Sequence, residues 1–559
     1  MEDLHQRKRH SRSARSSELL TAVVSAATLT EWILDGHELA VLDAREQGVY
    51  FQGHLFHAAC IPLSSLELAM PGLVPRTDTR VVWCDGGPES AQPDLAERAA
   101  AKAASLGWTN CEVLEDGIAG WTAHGGELYA GVNVPSKAFG EHVEHTYDTP
   151  RMPAAELKAL IDSNANMVIL DSRPMREFRR MSIPTGIDCA GAELVHRVKE
   201  VAPDPDTLVV VNCAGRTRSI IGSQSLINAG LENRVVALEN GTMGWELAGF
   251  ECASGHESHA PDPGAESQTW STLAAKAVAE RFGVHQVTYE QATEWQADPT
   301  RTTFLLDVRT PEEFNDGHVV GSTSAPGGQL VQATDEYVAT RNARLILVDD
   351  NSVRATMTAS WLRQLGWHDT VVLAGGIGAA EEAGHELRSG PGGRQPVPSA
   401  PIINVADLQK RLAEDLENTT ILDLGSSLKY RNRGHIPGAW WGVRSRLDDA
   451  RQVIGDTAFL VLASTDGQLA KLAVPEAQAL WPEAEVVALA SGNKGWRHAG
   501  LEMTTGFDRA TTEANDVWYK PYDHPPAEVE QHMRDYLTWE IALVEQLDRD
   551  PTVNFPSFP

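Results

Sequence analysis

The sequence predicts an α/β protein of four tandem domains, each a mostly parallel open sheet flanked by helices, and two observations carry that reading. First, a strand ending in an acidic residue recurs as AVLDAR (40–45), VILDSR (168–173), FLLDVR (304–309) and TILDLG (420–425). The acids are Asp43, Asp171, Asp307 and Asp423, spaced 128, 136 and 116 residues apart. Second, each is followed by another apolar strand (VVWCDGG, VVVNCAG, LILVDDN, FLVLAST), a helix-like stretch and a third strand (CEVLEDGIAGW, RVVALENGTMGW, TVVLAGGIGA, EVVALASGNKGW). Strands alternating with helices indicate parallel-sheet units, and three signatures kept in register four times indicate an internal repeat. A chain of 559 residues is also too long for one hydrophobic core.

Taken in order, residues 1–19 read as a disordered basic tail, 20–146 as the first repeat and 147–258 as the second. A linker and helix over 259–283 lead to the third repeat (284–396), the fourth (398–507) and a C-terminal helical tail (508–559). The stretches SGHESHAPDPGAESQ (254–268) and RSGPGGRQPVPSA (388–400) hold the breakers that mark connections. WSTLAAKAVAERFGV reads as an added amphipathic helix. In the tail, apolar spacing predicts a helix over roughly 526–547, expected to pack on a neighbouring domain and not to perform chemistry. The basic start and LLTAVVSAA imitate an export signal, but the apolar part is short and diluted by Thr and Ser.

A formal charge of −30 argues against nucleic acid as a partner. No stretch approaches the ~18 apolar residues of a membrane span, so a soluble cytoplasmic protein is expected, compatible with a homo-oligomer. Anionic substrates must then be drawn by local positive charge. The six cysteines (Cys60, Cys84, Cys111, Cys189, Cys213, Cys252) show no paired zinc-type spacing, and reduced thiols are expected.

The chemistry concentrates in VVVNCAGRTRS (209–219). A loop that leaves a parallel strand and enters a helix sits where open α/β sheets bind ligands, with backbone amides and the helix N-terminus turned toward the ligand. That setting favours thiolate, the nucleophilic form of Cys213. Arg216 and Arg218 are expected to grip an anionic group, Gly215 to allow the tight bend, and Ser219 to cap the helix. A buried structural cysteine is the bland alternative, and two arginines within five residues speak against it.

A strand ending LDxR, a second ending Cys-x4-Arg-Ser and a third followed by GxxGW resemble the rhodanese (sulfurtransferase) domain, here in four copies. The resemblance implies that Cys213 accepts a sulfane sulfur as a persulfide held by loop amides from Ala214 through Gly215 and Thr217 to Ser219. It implies neither metal nor organic cofactor. Cysteine phosphatases of similar loop design use Cys-x5-Arg, whereas AGRT leaves four residues between Cys213 and Arg218. Aligned loops place Cys84, Asp349 and Ser464 where Cys213 stands. Cys84 has acidic Asp85 and Glu89 as loop neighbours and is read as weak or silent, a second site only in outline. Asp349 and Ser464 cannot form a persulfide.

Arg173 is carried as a substrate-binding candidate, although an Asp171–Arg173 brace of the strand end is the favoured reading. GH pairs at His54, His318 and His435 are missing from the second repeat, whose RMSIPTGIDCAG departs from the family pattern. Cys189 in that segment is read as an incidental thiol, and Cys252, His256 and His259 as too few for a metal site. The expected activity is sulfur transfer from thiosulfate or a similar small anionic donor to cyanide, a small thiol or a protein thiol. The alternatives are a non-catalytic scaffold or sulfur-relay partner and, third, a cysteine-dependent phosphatase.

Overall fold

Each of the four repeats builds a five-stranded, all-parallel sheet, and the strand order within each sheet, numbered along its own repeat, is 1-5-4-2-3. The computed structural model describes residues 22–393 and 397–558; the basic tail expected over 1–19 lies outside the described residues. In the second repeat the strands are Arg151–Met152, Met167–Asp171, Ile187–Asp188, Leu208–Asn212 and Val235–Leu238. The central strands are β-branched runs buried along their length, as a sheet covered on both faces requires. Asp171 pairs in register with Asn212, so the LDxR motif and the end of the Cys213 strand finish side by side.

The repeated residues have repeated jobs. Arg45, Arg173 and Arg309 each fork onto the aspartate two residues before them and reach one carbonyl, that of Gly53, Met181 or Gly317. His54, His318 and His435 each stack on an aromatic ring of the preceding turn, with centroids 3.5 to 3.8 Å apart. In the second repeat Ser182 takes that bridge position, paired with Ala253, and the stack is lost. The glycine that opens GxxGW in three repeats (Gly117, Gly241, Gly492) and GIGAA in the third repeat (Gly376) is left-handed throughout, and a Cβ there would lie 2.1 to 2.6 Å from a carbonyl of the neighbouring loop. No other residue permits that approach.

The repeats pack on one another in several pairings, the first meeting the third where Leu39 bridges Arg341 and Glu38 accepts from Thr302. The second and third share a core in which Phe139, Leu194, Phe282, Leu330 and Trp361 meet, joined by the helix Ala265–Phe282. Backbones approach closely where Gly191 faces Gly328. The first and fourth meet through Arg444, which binds Glu67 and Glu476, and through Glu46, which accepts from Ser64 and Ser445. Two helices outside the sheets cross between the units. One, Val134–Tyr147, is called here the linker helix, and the other, Val529–Leu547, the C-terminal helix. None of the helices among the described residues is long and apolar enough to cross a membrane.

Candidate active site

Cys213 follows the strand Leu208–Asn212 and precedes the helix Thr217–Asn228. It is 2 % exposed, and its Sγ donates to Ser219 Oγ at 3.6 Å. Ser219 Oγ passes its own proton to the Arg216 carbonyl at 2.8 Å, so Ser219 supports the thiol and does not cap the helix as expected. The far side of the loop is fixed by Thr242 and Met243, whose amides donate to the carbonyls of Cys213 and Ala214.

The loop amides separate this copy from its siblings. At the third residue after the Cys213 position, the amide of Gly87 donates to Asp85 (2.8 Å), that of Ser352 to Asp349 (2.7 Å) and that of Gly467 to Ser464 (3.1 Å). In the third and fourth repeats the same side chain also takes the amide three residues further on, Ala355 or Ala470. Those loops are closed by their own oxygens. The equivalent amide of Arg216 makes no hydrogen bond among the described residues. Backbone shape follows suit: Gly87, Ser352 and Gly467 are left-handed (φ +80°, +61° and +87°), whereas Arg216 has φ −119°.

The expected anion-gripping arginines are already occupied. Arg216 forks onto Glu141 of the linker helix at 2.6 and 2.7 Å, also contacts Glu144, and reaches Asn240 at 3.2 Å. Arg218 binds Glu177 at 2.9 and 3.1 Å and Gln329 of the third repeat at 3.1 Å. Burial opposes ionisation of Glu177, but Arg218 outweighs it and holds the carboxyl at about 2. Arg173 is 3 % exposed and bonds Asp171 and the Met181 carbonyl, the strand-end brace that was the favoured reading of this residue. The cradle is therefore made of amides and a helix N-terminus, with both loop guanidinium charges paired.

Cys84 is fully buried, and burial, reinforced by Asp43 and Asp85, pushes its thiol well up; Glu89 is exposed. Burial also raises Asp349 to about 6, against the pull of two amides and Arg354. Arg354 is tied to Glu193, Glu313 and Asp350. Cys189 is a free, core thiol. Among the described residues, His524, Glu528 and His532 bring three ligand atoms within 4.8 Å of one another; Cys252, His256 and His259 form no such group.

Sequence reasoning missed what covers the loop. The linker helix packs on it so tightly that a Cβ on Gly140 would lie 2.8 Å from Thr217 Cγ2. The C-terminal helix sets Leu537 and Tyr536 against Ala214 and Met243, and Glu540 against Gly215 and Thr217. One signal was available: Glu540 falls on the apolar stripe of Met533, Leu537 and Val544, where an acid has no place unless it meets something polar.

The rhodanese-like domain family profile matches residues 25–124, 153–248 and 288–383, more than half of the chain. The crystal structure of a thiosulfate sulfurtransferase from Pseudomonas aeruginosa superimposes with a TM-score of 0.90 at 44 % identity, covering 96 % of this chain and 100 % of that one. Among curated proteins, the uncharacterized protein YqhL of Bacillus subtilis (strain 168) is 37 % identical over 73 residues, which is 13 % of this chain and 56 % of that protein. The match thus spans just over half the length of that relative.

Proposed function

The chain belongs to the rhodanese-like domain family, and from that premise we propose a sulfurtransferase that works through a persulfide on Cys213. The Cys213 thiolate attacks the outer sulfur of thiosulfate or a similar donor, sulfite leaves with the bond's electron pair, and Cys213 retains the sulfur. An acceptor (cyanide, a small thiol or a protein thiol) then attacks that outer sulfur and returns Cys213 to thiolate. Amides from Ala214 to Arg218 and the N-terminus of Thr217–Asn228 hold the anionic persulfide, the Ser219 amide being taken by the Arg216 carbonyl.

The observation that carries this reading is the open Arg216 amide beside a cysteine, set against three sibling loops closed by Asp85, Asp349 and Ser464. The similarity to the Pseudomonas aeruginosa thiosulfate sulfurtransferase supports thiosulfate as donor. Steady-state turnover of thiosulfate with cyanide tests it. Cys213→Ser should abolish the activity and Cys84→Ser should leave it intact; turnover that survives Cys213→Ser defeats the proposal.

A further inference from the structure

The C-terminal helix belongs to none of the four repeats, yet it delivers a carboxyl to the Cys213 loop. Glu540 is 1 % exposed. Its Oε1 accepts from Thr217 Oγ1 at 3.2 Å and from the Tyr536 hydroxyl at 3.0 Å. Its Oε2 is buried and has no hydrogen-bond partner among the described residues. That oxygen faces the loop: a Cβ on Gly215 would lie 3.2 Å from it and 3.3 Å from Tyr536 Cε1. Gly215 and Thr217 are the second and fourth residues after the nucleophile, so the unpaired oxygen is aimed at the turn that holds the sulfur. A buried carboxyl oxygen left without a partner is costly, and such atoms call for an explanation.

We propose that Glu540 is a catalytic base for the second half-reaction, taking the proton of a thiol acceptor as it attacks the Cys213 persulfide. The proposal rests on the sulfur-transfer reading above. In the step, R–SH gives its proton to Glu540 Oε2 while its sulfur bonds to the outer sulfur of the persulfide. The bond between that sulfur and Cys213 Sγ breaks, its electron pair stays on Sγ, and R–S–S⁻ departs. Carboxylate becomes carboxylic acid, persulfide becomes thiolate, total charge is unchanged, and no outside oxidant or reductant enters. Cyanide supplied as the anion, at a pH above the pKa of hydrogen cyanide, carries no proton to remove, so its attack needs no base.

The surroundings suit the task. Glu540 faces Lys137 and Glu141 of the linker helix, Arg216 of the loop and Tyr536 of its own helix. Lys137 Nζ sits 5.1 to 5.3 Å from the ring centres of Trp518, Tyr536 and Trp539 and donates to the Val132 carbonyl. Burial raises the proton affinity of Glu540, while Lys137 keeps its charged form accessible. A carboxyl raised in this way is better matched to a thiol proton than an ordinary one.

The test uses the full chain loaded with thiosulfate and discharged in single turnover by 2-mercaptoethanol or, separately, by cyanide. Glu540→Gln should still load one sulfur on Cys213 by intact mass. It should lose about 10²-fold in discharge by the thiol while discharge by cyanide is unchanged. Equal losses with both acceptors, no loss with either, or failure to load would overturn the proposal. A second measurement needs no variant: below the pKa of the thiol, wild-type discharge should follow total thiol, and a rate that follows thiolate alone would overturn it. A wild-type chain that never loads sulfur refutes the sulfur-transfer reading itself, while loading with cyanide discharge intact isolates a failure to Glu540.

Discussion

Replacing Arg216 by methionine separates a structural arginine from a substrate contact. The guanidinium has 4 % of its side chain exposed, and Glu141, its forked partner, has 2 %. Glu144 and Asn240 complete its bonds. Removing the cation strands two carboxylates against the nucleophile loop, and breaking a buried pair from one side costs about 3–5 kcal/mol. With a urea dependence of roughly 2 kcal/mol per molar, the transition that reports the second repeat should fall by roughly 2 M. Urea unfolding followed by Trp fluorescence measures it, and Arg216→Met with Glu141→Gln should recover part of the loss. The reasoning is refuted if the midpoint stays put while KM for thiosulfate rises about 10- to 100-fold, the signature of a lost charged hydrogen bond to substrate.

Three other outcomes follow from the same geometry. Gly140→Ala should push the linker helix off Thr217, costing about 1–3 kcal/mol and lowering sulfur transfer, measured by thermal unfolding and turnover. Burial lifts Glu46 from 4.5 to about 7 despite the hydroxyls of Ser64 and Ser445, so the folded chain holds this proton more tightly than the unfolded one. Its contribution is complete below pH 4.5 and lost as pH rises through 7, and Glu46→Gln should flatten that fall in a pH series of urea midpoints. Asp349→Ala leaves the amides of Ser352 and Ala355 unpaired and should destabilise the third repeat by about 1–3 kcal/mol, with Cys213 turnover retained.

The four sheets were legible because their signals are local. An apolar β-branched run ending in Asp, repeated at similar spacing, marks a buried parallel strand without knowledge of its neighbours. The equivalence of Cys84, Cys213, Asp349 and Ser464 was legible too, since each ends the fourth-in-sequence strand of its repeat or directly follows it. What the arginines do was not. Cys-x4-Arg shows cations beside a thiol, but the carboxylates that pair with Arg216 lie on a helix some 70 residues earlier in the chain. Arg218 is met partly from the third repeat through Gln329. Likewise the C-terminal helix read as packing, and its Glu540 meets a loop more than 300 residues away. Pairings of that separation leave no periodic trace in the sequence.

The most direct measurement is peptide mapping of the chain by mass spectrometry after brief exposure to thiosulfate, without reductant. A single loaded loop requires the mass of one added sulfur on the peptide carrying Cys213, and none on those carrying Cys84 or Cys189. Sulfur on Cys84 with Cys213 unmodified, or on no cysteine at all, would contradict it.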